Sequence, residues 1–428
     1  MSTNKRNSSG EVIRVNVPSR HQQEFGYYVL DELVSETHEI RSIWEYVSSL
    51  DLSLFYAEVR SVEGKTGRTP VDPRILLTLW IFAIIEGISS GRRLARLCER
   101  DSVYRWVCGH VGVNYNLLNE FRVKHQSALE DLMSQTIAVL HHHELIDFKR
   151  ISQDGIRVRA HAGRGSRRRK ETLDELLVLA TQEVEKVLSE LDAESSNASQ
   201  AAQVQAVLDR QRRVEAAIEE HKTHSVKREK RKKGDGATTR TSTTDPESRN
   251  MKMADGGYRP AMNIQAATLN ESRIIVDIHA INEGTDSGQV MPMLDRVEAN
   301  FGERPKEVLV DGGYNSRDDI TRVEAGGTVV YSPVRKSRKS DRDPHEPREG
   351  DSDEVKAWRA RMNTPEAQLI YKERCSTAEF PFARFRNHGL GQLPVRGLEK
   401  TKTIGLWHAF VHNLRQIFTK NWLPMFTG

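Results

Sequence analysis

Strand-like alternation in this chain is interrupted once, for about a hundred residues, and that interruption limits the architectures open to it. Ile156, Val158, Ala160 and Ala162 alternate with arginines and a histidine, the pattern of a half-buried strand. The pattern returns only at Met262, Ile264 and Ala266, and again at Ile274, Val276, Ile278 and Ala280, with Leu269 to Ser272 as the turn between them. A helix over about 287–301, a strand through Val308, Leu309 and Val310 to Asp311, a helix over about 317–325 and a strand over 328–332 follow. Strands first, then helices and strands in alternation, predict an α/β domain with a mixed sheet.

The interruption has its own pattern. Leu173, Leu177, Ala180, Val184, Val187 and Leu191 recur at spacings of four and three, a heptad seam. Val204, Val207, Val214 and Ile218 continue a weaker seam after a polar break over 192–200. Two antiparallel helices are the natural solution, because both are short and Gln211 sits on the second seam. The inserted region, 166–249, then holds a helical hairpin and a flexible basic segment, Lys222 to Asp245, rich in Lys, Arg, Gly and Thr. A second mobile stretch is expected over 335–353, where charges alternate around Pro344 and Pro347.

Residues 1–147 read as an all-helical region. Asp72-Pro73 supplies an N-cap and a first-turn proline for a helix that is apolar nearly all round and therefore buried. Ser89-Ser90-Gly91 ends it. Short helices over 92–99 and 102–107 follow, then a longer one capped by Asn114 to Asn116 and reaching toward His141. The catalytic-type α/β region comprises 148–165 and 250–428.

Charge distribution says more than the formal net charge of +4. Arg157 to Lys170 contains seven Arg or Lys and no acid, and Lys222 to Lys233 contains seven against Glu229 alone. Such clusters attract phosphate polymers through counterion release. The short N-terminal helices suit a helix-turn-helix reader, with Arg92, Arg93, Arg96, Arg105, Arg122 and Lys124 available for phosphates or base edges. The alternative is a helical bundle with a solvated basic face. Three cysteines without a CxxC pair argue against a disulfide framework or zinc cluster and suit the cytoplasm. The most apolar run, Ile75 to Ile85, is about half the ~20 residues a bilayer requires, so no membrane partner is expected.

Three acids stand where separate elements would present them to one cleft. Asp154 interrupts a strand pattern before Gly155, Asp311 ends one before Gly312-Gly313, and Glu379 precedes Pro381, which belongs in a helix's first turn. Hard oxygen ligands from separate elements suit magnesium, or a pair of ions ~3.5–4 Å apart acting on phosphate. Any single Asp beside Gly is more often a turn residue. Asp255-Gly256-Gly257-Tyr258 nearly repeats Asp311-Gly-Gly-Tyr314 yet precedes a strand, and Asp255 is read as a turn. Phe382 and Phe385 would pack inward, and Arg386, seven residues after Glu379, shares its helical face. Taken alone, Glu379 and Arg386 would equally suit a surface ion pair. His141 to His143, His412 and Asn413 are read as solvated or packing residues.

These residues carry a resemblance. Asp154-Gly155, Val310-Asp311-Gly-Gly-Tyr314 and Tyr371-x-x-Arg374…Glu379…Arg386 resemble a DDE-type bacterial insertion-sequence transposase of the branch with a Tyr-Arg-Glu-Lys signature. So do Ser242 to Arg249, Gly257 to Ala266, Arg396 to Lys400 and His412-Asn-Leu414, while Val71 to His125 is similar to the helical DNA-binding region of that family. Arg386 stands where the signature has Lys, and four residues, not three, separate Arg374 from Glu379. Glu373 and Glu399 are the rival third acids.

The resemblance implies an RNase H-like fold with Asp154, Asp311 and Glu379 as a metal-binding catalytic triad for Mg2+ or Mn2+. It implies that Tyr371, Arg374 and Arg386 contact the transposon end. The expected activity is metal-dependent DNA cleavage and strand transfer at the inverted-repeat ends of the element and at target DNA, by a homodimer at least when DNA is bound. Two alternatives stay open: a catalytically inactive DNA-binding relative, and a nuclease that hydrolyses without joining.

Overall fold

In a computed structural model of the chain, residues 29–57, 70–190, 198–230, 235–336 and 342–427 are described. The N-terminal helices are α1 (Glu39–Ser49), α2 (Ser53–Tyr56), α3 (Pro73–Ile85), α4 (Gly91–Arg100), α5 (Ser102–Cys108), α6 (Tyr115–Lys124) and α7 (Gln126–His142). Local chemistry explains their starts. The Asp72 carboxylate accepts the Arg74 N–H with Pro73 in the first turn of α3, Asp101 accepts from Val103 and Tyr104, and Asn114 accepts from Leu117. Helix α3 is buried on all sides, as its uniform apolarity requires.

Two expectations fail here. The single helix foreseen from Asn114 toward His141 is broken at His125 (φ −100°, ψ 46°), whose ring packs on Phe55 and Phe121 at centroid distances of 5.3 and 4.8 Å. Arg122 is not available to a phosphate. It is buried, donates to the Ser89 carbonyl at 2.6 Å, and lies 4.4 Å from the Trp80 ring centroid. Its stem and charge serve the core of the helical region.

After β1 (Arg150–Arg159) come β2 (Arg167–Arg168), α8 (Lys170–Ser189), α9 (Ala198–Glu229) and β3 (Thr241–Ser242). Helices α8 and α9 pack on each other through Leu173, Ala180, Val184, Val207 and Val214, all buried, and β2 pairs with β3 at their base. Helix α9 runs on to Glu229, so Lys222 to Glu229, expected in a flexible segment, is helical. A seam-based reading stops where the apolar period stops, whereas the helix continues with Ser225 bonded to the Gly236 carbonyl and Arg228 to Thr238. Residues 231–234 and 337–341, inside stretches expected to be mobile, lie outside the described residues. Within the second stretch, Asp351 is buried and paired with Arg359 at 2.8 Å.

The main sheet adds β4 (Arg249–Lys252), β5 (Tyr258–Leu269), β6 (Ile275–Ile281), β7 (Glu307–Leu309) and β8 (Val329–Tyr331). Its order is β4-β5-β1-β7-β8, with β6 also paired to β5. Strands β4, β5, β6 and β1 are antiparallel to their neighbours among themselves, while β1-β7 and β7-β8 are parallel. The remaining helices are α10 (Val290–Phe301), α11 (Arg317–Ala325), α12 (Asp353–Met362), α13 (Pro365–Thr377), α14 (Glu379–Asn387), α15 (Leu398–Thr419) and α16 (Pro424–Thr427). This is the mixed α/β arrangement of an RNase H-like core.

Helix α15 lies between the sheet and α3, α6 and α7. The Asn413 side chain both accepts from the Ile275 N–H and donates to the Ile275 carbonyl at 2.8 Å, and a Cβ on Gly405 would meet Ile278 at 3.4 Å and Ile264 at 3.5 Å. Close approach to β6 therefore depends on a polar stitch and a glycine. Burial pushes the imidazoles of His408 and His412 down to about 3, so both are neutral in the fold. In the unfolded chain each protonates near 6.5. Their contribution to stability is thus whole above about pH 6.5 and is lost progressively as pH falls toward 3. Urea unfolding at pH 7.5 and 5.5 should show a loss of about 1.4 kcal/mol per histidine, and His408→Gln should flatten that dependence. Equal pH slopes in the two proteins would remove this account.

Candidate active site

The short β7 decides where a cleft can form. It pairs with β1 only at Arg150, Ile151 and Ser152, the last opposite Leu309. Beyond that point β1 continues beside β5, meeting another backbone partner only at the Arg159–Gln392 bridge, and a gap is left at the end of β7. Carried two residues further, the parallel register brings Asp154 level with Asp311. Side chains alternate along β1. Ser152 and Asp154 face α13, bonded to Thr377 at 2.8 Å and Arg374 at 2.9 Å, whereas Gln153 faces α10 through the Gln289 carbonyl at 3.0 Å.

Asp311 is shaped by its turn. Its Oδ1 accepts the Gly313 N–H at 2.6 Å, and a Cβ on Gly313 would stand 2.7 Å from that oxygen and 3.6 Å from Asp286 Oδ2. A side chain at 313 would fill the space between two carboxylates. Tyr314, fully buried, donates to Gln265 beneath the site.

Glu379 opens α14 immediately after α13, with Phe382 and Phe385 buried below it. Glu379 is exposed and makes no ion pair among the described residues. Arg386, also exposed, follows two turns later on the same face. Tyr371 is half-buried, its phenol pushed up by burial and further by Asp311 and Asp154 against the pull of Arg374. The rival acid Glu373 is engaged elsewhere, bonded to Arg150 at 2.8 Å and Asn270 at 3.0 Å, and Glu399 sits in the first turn of α15.

Arg374 lies where these charges meet. Burial opposes its charge, yet Asp154, Tyr371, Asp311 and Glu379 together hold the guanidinium above its ordinary value. Burial pushes the Asp154 carboxyl up to about 6; Arg374 and the Gly155 N–H work against this, and Asp311 and Asp286 work with it. The acids gather a cation, and in this arrangement Arg374 provides it. Among the described residues no three His, Cys, Asp or Glu side chains stand close enough to hold a metal ion. Asp154 on β1, Asp311 two residues past the end of β7 and Glu379 at the start of α14 all act on the Arg374 guanidinium, and carboxylate oxygens of this kind are what a hard divalent cation could take. Arg374 holds one of the Asp154 oxygens at 2.9 Å.

Asp286 is the carboxylate that sequence reasoning missed. Asn263 and Gln265 each donate to its Oδ1 at 2.8 Å, and Arg157 reaches Oδ2 at 3.4 Å. A signal did exist. Asn263 and Gln265 sit two apart among the buried apolar residues Ala261, Met262, Ile264, Ala266 and Ala267, and buried amides need partners. Gly155 has the same cause, since a Cβ there would lie 2.1 Å from Gln265 Nε2.

Residues 234–414 match a family described as a transposase DDE domain, and residues 28–124 match one described as a transposase domain (DUF772). The first match contains Asp311 and Glu379 and begins after Asp154; the second covers α1 to α6. Neither the curated proteins nor the solved structures compared with the chain gave a match. Among the described residues no helix is long and apolar enough to cross a membrane.

Proposed function

The chain belongs to the DDE transposases of insertion sequences, and from that premise we propose that it binds the terminal inverted repeats of its element, cleaves there and joins the freed ends to target DNA. The observation that carries this reading is that Asp154 and Asp311, at the end of the short β1-β7 pairing, both act on the Arg374 guanidinium.

DDE transposases generally use divalent metal ions; here Asp154, Asp311 and Glu379 are the residues that would hold Mg2+ or Mn2+. When bound, a pair of such ions supplies activation of a water or 3′-hydroxyl and stabilisation of the leaving oxygen. The chain's own side chains do the rest. Arg374, released from Asp154, and exposed Arg386 offer guanidinium forks to phosphates of the transposon end. Tyr371, half-buried and within the fields of Arg374 and Asp311, would contact the same end. These three residues support membership of the Tyr-Arg-Glu-Lys branch, with Arg386 keeping the charge of the usual lysine. The helices of 1–147 act in DNA binding, and two ends brought together require at least a dimer on DNA.

The test uses purified full-length protein and duplexes bearing the inverted repeats that flank the coding region, with Mg2+ or Mn2+. Cleaved ends and products joined to a plasmid are expected. Binding without nicking would instead indicate an inactive relative, and nicking without joining a hydrolytic nuclease.

A further inference from the structure

The two basic clusters of the sequence meet away from Asp154. Arg167 of the first cluster and Lys227 and Arg228 of the second line an open basin of about 740 Å³ between the foot of α9 and the β4 edge of the sheet. Arg167 comes from β2, Lys227 and Arg228 from the last turn of α9, Arg240 from just before β3, and Arg249 and Lys252 from β4. Their carboxylate partners are few. Glu220 pairs with Arg249 at 2.5 Å and Glu283 with Lys227 at 3.2 Å, while Arg167, Arg228, Arg240 and Lys252 form no ion pair among the described residues.

Arg167 shows that the charge is crowded as well as unpaired. One of its nitrogens donates to the Arg240 carbonyl at 2.5 Å, but Nη1 is buried and has no hydrogen-bond partner. Burial pulls this guanidinium down to about 10, and Arg249, Arg240 and Arg228 add to the effect. An anion entering the basin would relieve the crowding. Guanidinium groups bind phosphate oxygens through two parallel hydrogen bonds.

A concave site with cations from four elements fits a convex sugar-phosphate strand better than it fits base edges. At its rim Tyr258 is 53% exposed, with its carbonyl anchored by two bonds from Arg164, and it offers a flat face to a sugar or base. The basin also adjoins the candidate active site. Arg157 donates to the Gly284 carbonyl in the basin wall at 3.0 Å and reaches Asp286 at 3.4 Å.

We propose that this basin seats the phosphate backbone of duplex DNA beside the bond acted on, without reading its sequence. This rests on the proposed action on DNA. The probes are a labelled 30-bp duplex carrying the terminal repeat, as element-end DNA, and an unrelated duplex, as target DNA. Each is titrated by anisotropy across a salt series with the full-length protein. Arg228→Gln/Arg240→Gln removes two cations without orphaning an acid. Lys356→Gln/Arg322→Gln, on α12 and α11 respectively, removes the same charge elsewhere.

The basin pair should weaken binding roughly 10–100-fold at 0.1 M salt and lower the salt slope by about 1.8, close to 0.9 for each phosphate no longer neutralised. The control pair should leave the slope in place. Weaker binding of both duplexes supports the proposal as stated, and weaker binding of one supports it and identifies which DNA occupies the basin. A basin variant that keeps the wild-type affinity and slope, or merely matches the control pair, overturns it. Wild-type protein that binds neither duplex would overturn the DNA reading itself.

Discussion

Asp311→Asn is expected to abolish strand cleavage while leaving the affinity for terminal-repeat DNA within about twofold. The substitution keeps the shape of the turn, because an amide oxygen can still accept the Gly313 N–H that Asp311 Oδ1 accepts at 2.6 Å. What it removes is one negative charge and one hard ligand. Loss of a partner outside the ligand set of a metal centre costs roughly 10–100-fold, so loss of a ligand itself should exceed that range. Asp154→Asn should have the same effect on cleavage, since its carboxylate bonds to Arg374, the guanidinium on which the charge of Asp311 also acts. Single-turnover cleavage in Mg2+ with pre-bound duplex separates chemistry from binding. A rate within tenfold of wild type for either variant would refute the assignment of these two aspartates.

What could be read in advance, and what could not, divides along physical lines. Asp72-Pro73 and the alternation from Met262 to Ala280 are local signals, and α3, β5 and β6 stand where they point, while β7 stops at Leu309, two residues short of the strand end expected at Asp311. Helix α11 spans Arg317–Ala325 because Ser316 caps it and Gly326 stops it, both visible in sequence. The failures are tertiary. Arg122 looks like a free cation until Trp80 is folded beneath it. His125 breaks a helix because Phe55, 70 residues earlier, packs against its ring. The Arg374–Asp154 pair joins residues 220 apart, and no periodicity forecasts it. Asp286 could be found only by asking where the amides of Asn263 and Gln265 send their hydrogens. Strand patterns and glycines mark the candidate acids in the sequence, whereas no local signal marks the groups that neutralise and orient them.

The largest loss of stability should follow Trp407→Ala. Trp407 is completely buried at the middle of α15, the helix shared by the sheet and the N-terminal helices. Its Nε1 donates to the Arg122 carbonyl at 2.9 Å, and its ring lies 6.3 Å from that of Phe121, so one side chain joins both regions. Truncating a buried tryptophan costs about 3–5 kcal/mol, a large part of the roughly 5–15 kcal/mol that holds a folded domain. Trp407→Phe keeps most of the packing and loses only the indole N–H, so it should cost markedly less. Urea unfolding followed by circular dichroism measures both variants, and a cost below about 1 kcal/mol for the alanine would mean that α15 is not the common core. The consequence should extend to the site. Phe385 of α14 packs on His408, the neighbour of Trp407, at a centroid distance of 5.3 Å. Loosening α15 therefore loosens the helix that begins at Glu379, and the alanine variant should lose cleavage at temperatures where its α/β core is still folded.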